Sequence, residues 1–148
     1  MLAHLGGNGV GVDHNPHSIA TARARGLEAY VPDDFLASAN AVPGSFDSLL
    51  MAHVLEHVDR EAGLELIKSY LGFVRPGGKV CLITPQERGY RSDPTHVRFV
   101  DVEELESIAG ELGLTGTRSY SFPFPRFAGR RFTYNEFVFV ARVPERAA

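Results

Sequence analysis

His53, Glu56 and His57 stand together just after the apolar run Phe46 to Ala52. Two histidines four apart on one helix can share a Zn²⁺ ion while an intervening glutamate serves as base. His-x-x-Glu-His is the pattern of one class of zinc metallopeptidase. That chemistry needs His53 inside the helix. Phe46 to Ala52 reads as a strand, so His53 falls on a turn and the helical spacing is not secured. Further ligands would have to come from Glu103, Glu104 or His96. The plainer reading of His57 is a histidine hydrogen-bonded at a helix start. His96 lies in the polar stretch Gln86 to Phe99 with Tyr90 and Arg98. An imidazole that titrates near neutrality can act there as a general base, or simply staple the loop to the body.

Carboxylates supply a second kind of chemistry. Asp13 ends the short apolar stretch beginning at Gly9, and an acid there can accept the ribose hydroxyls of a nucleoside through charge-assisted hydrogen bonds. It can equally cap the helix that follows. Asp33, Asp34 and Phe35 come after the next apolar stretch, and Pro32 with Asp33 also suits a plain turn. Phe122 to Phe127 and Arg130 to Tyr134 interleave aromatic rings with arginines. That pattern can stack single-stranded nucleic acid, cover an acceptor pocket or pack between two strands. Packing is the commonest fate of aromatic residues.

The elements that must position these groups alternate. A strand over 9–13 leads to a helix started by Asn15 and Pro16 and stopped at Gly26. A strand over 27–31 closes with Pro32, Asp33 and Asp34; residues 37–44 suit a short helix and then a loop. Phe46 to Ala52 is a strand apolar enough for burial on both faces. A helix over 59–74 places Leu64, Ile67, Leu71 and Val74 on one face. A stop at Pro76, Gly77 and Gly78 precedes a strand over 80–84. Asp101 and Glu104 form a capping box for a helix with Leu105, Ile108 and Leu112 inward, stopped near Gly113. Strands over 116–122 and 136–142 finish the chain. This order predicts an α/β fold with a mostly parallel sheet and an antiparallel last strand. Asp13, His53 and Thr84 then fall at carboxyl ends of strands, where open α/β sheets bind ligands.

The segment from Phe46 to Val58, paired with Val74 to Thr84, resembles the second half of a class I S-adenosylmethionine (SAM) dependent methyltransferase, of the type found in ubiquinone biosynthesis. The resemblance implies a Rossmann-like sheet, SAM as cofactor and a small-molecule acceptor. It implies cofactor contacts at Asp13, His14, Asp33, Asp34, Phe35 and His53. Asp13 would take the ribose, and Asp34 with Phe35 would frame the adenine. His96, then His53 and His57, are the candidate bases. Some related ubiquinone-pathway enzymes carry Glu where His53 stands, so no metal site is assigned. The family opens with a strand and a glycine-rich loop. Residues 1–5 read as the end of the helix after that loop, and Gly7 to Gly11 has no strand before it. On this reading the first strand is absent and the chain is N-terminally truncated. A degenerate, non-catalytic module is the alternative.

Composition sets the outer limits. A chain of 148 residues suits one domain with a real core. Its net charge of −3 gives no electrostatic case for nucleic acid or an anionic membrane. The single cysteine, Cys81, excludes a disulfide framework. No basic leader and no membrane-length apolar run are read, so a cytoplasmic protein is expected.

Overall fold

The structure is a computed structural model and describes residues 2–145. The chain divides into two compact units, residues 1–42 and 43–148.

In the first unit, β1 (Gly11–Val12) runs parallel to β2 (Ala29–Tyr30). Between them lies α1 (Pro16–Ala24). The Asn15 side chain accepts the His17 N–H, and Pro16 takes a position whose N–H would lack a partner anyway. Gly26, at φ 74°, lets the chain leave the helix. Arg23 ties α1 to β2: its Nε donates to the Ala29 carbonyl at 2.7 Å, and its guanidinium lies over the Tyr30 ring. A short helix, α2 (Pro32–Leu36), replaces the expected turn, and the expected helix within 37–44 is a run of turns. Pro32 pre-sets the first helical dihedral, and Asp33 and Asp34 suit a positive helix end, so the helix starts earlier. Ile19, Ala29 and Phe35 form the small core.

The second unit is a four-stranded sheet in the order β3–β4–β6–β5, with helices α3 to α5. β3 (Phe46–Ala52) is parallel to β4 (Val74–Pro85). β6 (Glu136–Arg142) is antiparallel to both β4 and β5 (Thr115–Phe122). The antiparallel last strand is therefore as expected. Burial of β3 on both faces is not: β3 is an edge of its sheet, and Leu50 is exposed. β4 starts earlier than expected and runs through Pro76, Gly77 and Gly78 as an irregularity, not a turn. Pairing jumps from Phe46–Val74 to Ser48–Lys79 across it. A Cβ on Gly78 would press on the Arg75 and Asp47 carbonyls, so only glycine fits.

Helices α3 (Arg60–Leu71) and α5 (Val102–Glu111) are capped by Asp59 and Asp101, whose carboxylates accept the Ala62 and Glu104 N–H groups. Glu104 does not close the capping box; it pairs with Arg60 and Arg98 instead. Ile67, Leu105 and Ile108 meet Val80, Leu82 and Phe139 in one core, all six fully buried. Each such side chain contributes roughly 1.5–3 kcal/mol on burial. This core holds the sheet on which the site residues are mounted. A four-residue helix, α4 (Glu87–Tyr90), follows β4 inside the expected loop.

Candidate active site

Three segments of the second unit meet at the carboxyl ends of β3 and β4: the β3–α3 turn, the loop after β4, and the start of β6. His53 follows β3. Its N–H still donates to the Ile83 carbonyl at 3.0 Å, continuing the ladder. Its φ of 55° then turns the chain sharply, in a region that non-glycine residues seldom occupy. Leu55–His57 form a single 3₁₀ turn, so His53 and His57 do not share a helical face. The helical zinc-peptidase arrangement is thereby excluded.

His53 bridges two carboxylates. Its Nδ1 lies 3.2 Å from Glu56 Oε1, and its Nε2 lies 2.8 Å from Glu136 Oε1. Ionised carboxylates only accept, so both bonds form together when the ring carries both protons. The hydrogen bond to Glu56 and then the charge of Glu136 raise the His53 pKa above its ordinary value, against the opposing effect of partial burial. Glu56 is fully buried. Its Oε2 has no hydrogen-bond partner among the described residues, an unusual state for a buried carboxyl group. Its backbone carbonyl accepts Val97 N–H at 2.8 Å and Arg98 N–H at 3.3 Å, docking the 91–100 loop onto the turn. Thr84 fixes the far end of that loop through a 2.8 Å bond to the Val100 carbonyl.

His96 is the best-held imidazole. Its Nδ1 donates to the Tyr90 carbonyl at 2.7 Å, and Tyr90 stacks on its face. A carbonyl cannot donate, so Nδ1 carries a proton, and Nε2 lies 4.0 Å from both Glu56 Oε1 and Asp93 Oδ2. His57 packs edge-on against His96. Thr95 Oγ1 gives its proton to Asp93 Oδ1 at 2.7 Å and so accepts from His57 Nδ1 at 3.1 Å, which carries a proton as well. Glu56, His57 and His96 each offer one donor atom within 4.8 Å of the others. Two imidazole nitrogens and a carboxylate make a set able to share protons or accept a divalent cation. Composition alone does not bring these three together; the docked loop does. Glu103 and Glu104 are elsewhere, on α5.

Sequence reading missed Glu136, which lies 83 residues from its partner His53. It also missed the buried pair Gln86 and Asn135, joined at 3.0 Å. The only signal for these was position: each stands at the end of a strand.

The first unit carries the other candidates. Asp13 follows β1. Its Oδ1 accepts the Asn15 N–H at 2.8 Å, and its Oδ2 has no partner among the described residues. One oxygen thus serves the turn, and Asp13 lines a cavity of about 190 Å³ with Gly11, Ser18 and Ile19 among others. His14 is almost fully exposed beside it. Asp33 and Asp34 are exposed on α2, with Asp34 4.0 Å from Arg23. The Phe35 ring is buried edge-on against Tyr30, and its N–H bonds to the Val31 carbonyl. A carboxylate oxygen at a strand end is chemically able to accept a ribose hydroxyl. Phe35, with ring and N–H both engaged, has neither left for an adenine here.

Residues 1–82 match the profile of a methyltransferase domain. The chain belongs to that methyltransferase-domain family. Among curated proteins it is similar to the ubiquinone biosynthesis O-methyltransferase of Pseudomonas aeruginosa, at 34% identity over 88 residues, 56% of this chain and 37% of that one. The protein of the same name from Xanthomonas euvesicatoria is 32% identical over 88 residues, covering 56% and 36%. The match thus spans little more than a third of the length of these relatives. A SAM dependent methyltransferase from Archaeoglobus fulgidus superimposes with a TM-score of 0.70 at 19% identity, covering 90% of this chain and 75% of that one. Haemonchus contortus phosphoethanolamine N-methyltransferase 2, in complex with SAM, gives 0.66 at 18%, covering 92% and 43%. These likenesses bear out the Rossmann-like α/β methyltransferase fold. Among the described residues no helix is long and apolar enough to cross a membrane.

Proposed function

We propose that this chain takes part in methyl transfer from SAM to the hydroxyl oxygen of a small molecule, in the setting of one methyltransferase domain. The family match runs through residues of both units, which supports reading them as parts of that domain. Bound SAM supplies an activated methyl group, so the protein's task is mainly to position and prepare the acceptor. Asp13 accepts from a ribose hydroxyl through Oδ2; Asp34, with Asp33 beside it, is the acid for the adenine amino group. His96 removes the acceptor proton at Nε2, since its bond to the Tyr90 carbonyl engages Nδ1. His57 is a second base held in the same way by Thr95. His53, protonated between Glu56 and Glu136, links those carboxylates and is the poorest base of the three. The name of the curated relatives supports an oxygen acceptor.

The observation that carries the acid–base assignment is the 2.7 Å contact between His96 Nδ1 and the Tyr90 carbonyl, which commits Nδ1 as the donor. Calorimetry with S-adenosylhomocysteine, followed by methylation assays on a panel of phenols and amines, tests the whole. Micromolar binding and preferential methylation of phenols are expected. Absence of any binding would favour a non-catalytic module, and preferential methylation of amines would overturn the hydroxyl assignment.

A further inference from the structure

The connection between β5 and β6 takes no part in the chemistry above. From Leu112 to Asn135 the sequence holds Arg118, Arg126, Arg130 and Arg131, with no lysine and no acidic residue, in a chain whose net charge is −3. Its rings do not pack inward as expected. Phe127 and Tyr134 are 75% and 74% exposed. Phe132 meets Phe124 and Tyr134 edge to face, with ring centroids 5.2 and 5.8 Å apart, so the rings make one patch. Arg130 and Arg131 line an open depression of about 450 Å³ between Phe127 and Phe132. Arg126 is held by Glu87, whereas Arg130 and Arg131 have no ion-pair partner among the described residues.

This loop is not free to fold its rings away. Asn135 Oδ1 accepts the Phe124 N–H at 2.9 Å, and its Nδ2 donates to Gln86 Oε1 at 3.0 Å. Gln86 Nε2 donates to Ser121 Oγ and to the Glu136 carbonyl, both at 2.9 Å. Both amides are fully buried. A Cβ on Gly129 would overlap the Gln86 side chain, so the loop sits tightly on this pair. A buried polar clamp holds an exposed aromatic patch in place. Soluble proteins rarely expose contiguous apolar surface without a partner.

We propose that this patch docks on an anionic lipid bilayer. Aromatic rings settle at the headgroup level, and unpaired guanidinium groups take phosphate oxygens there. Net charge obscures this because the basic stretch is small beside the acidic remainder, while attraction to a surface is local. Nucleic acid fits less well: the rings turn their faces toward one another's edges, at 76° and 72°, and do not offer parallel faces to successive bases. A small acceptor would leave Phe127 and Tyr134 in water.

Cosedimentation with vesicles tests the proposal and is independent of methyl transfer. The chain should partition onto vesicles of phosphatidylcholine with phosphatidylglycerol and much less onto phosphatidylcholine alone, and added salt should weaken it. Arg130→Ala with Arg131→Ala should lower partitioning by about tenfold or more. Phe127→Ser with Tyr134→Ser should also lower it, with an unchanged circular dichroism spectrum. Equal partitioning onto neutral and anionic vesicles, or unaltered binding by both double variants, overturns the proposal. Preference for a single-stranded oligonucleotide over anionic vesicles overturns it too and assigns the patch to nucleic acid.

Discussion

Asp13 carries the clearest test at the residue scale. Asp13→Asn keeps an oxygen for the Asn15 N–H, so the turn survives, but the charge is lost. If its second oxygen holds a ribose hydroxyl, losing a charge-assisted bond costs about 1.5–3 kcal/mol, and affinity for S-adenosylhomocysteine should fall about ten- to a hundredfold. Thermal stability should barely change; unaltered affinity would reduce Asp13 to a capping residue. His53 makes a prediction about pH. Its pKa is raised in the folded chain by Glu56 and then Glu136. The folded state therefore holds this proton more tightly than the unfolded state. The resulting stabilisation is complete below the ordinary imidazole value of about 6.5 and is lost as pH rises through the raised one. Urea midpoints of the parent should fall across that window relative to those of His53→Gln. Parallel curves for the two proteins would show that the bridge contributes no linkage.

At the scale of elements, sequence and structure agree where local chemistry decides. Phe46 to Ala52 and Glu136 to Arg142 are strands over the residues read from the pattern, and Asp101 caps its helix as its spacing implied, while Asp59, read as the first helical residue, stands at the cap position instead. Asp59→Ala should therefore lower stability by about 1 kcal/mol. Ile67→Ala, in the fully buried core, should cost about 2–5 kcal/mol. Denaturant unfolding separates the two, and similar values would mean that α3 is held mainly by its cap. Local chemistry is silent where tertiary contact decides. Pro32 with two aspartates reads equally as a turn or as a helix start, and packing of Phe35 against Tyr30 favours the helix. Pro76 to Gly78 reads as a stop, yet the chain stays in the sheet because Gly77 and Gly78 absorb the irregularity. The site was legible as residue types: His53, Glu56, His57 and His96 were all visible. Their pairing was not, because Glu136 and the loop that brings in His96 are joined to them only by the fold.

At the scale of the whole chain, the two units differ in what holds them. Within residues 2–42 only Ile19, Ala29 and Phe35 are buried apolar side chains, and β1 and β2 share just two paired positions. Residues 43–145 hold the extended core and seven paired positions between β4 and β6 alone. A segment of about forty residues with so little apolar burial has weak stability of its own. Local opening free energy follows burial and backbone pairing, so opening should be easiest in 2–42 and rarest in the central strands. Hydrogen exchange read by mass spectrometry should show β4 and β6 amides exchanging last and those of 2–42 far sooner. A ligand that binds the folded state stabilises what it touches. S-adenosylhomocysteine should therefore slow exchange around Asp13 and α2 while leaving β4 and β6 nearly unchanged. Protection of 2–42 equal to that of the central strands without ligand would show that this unit does not depend on cofactor for its order. Protection confined to β6 on adding ligand would move the cofactor site away from Asp13 altogether.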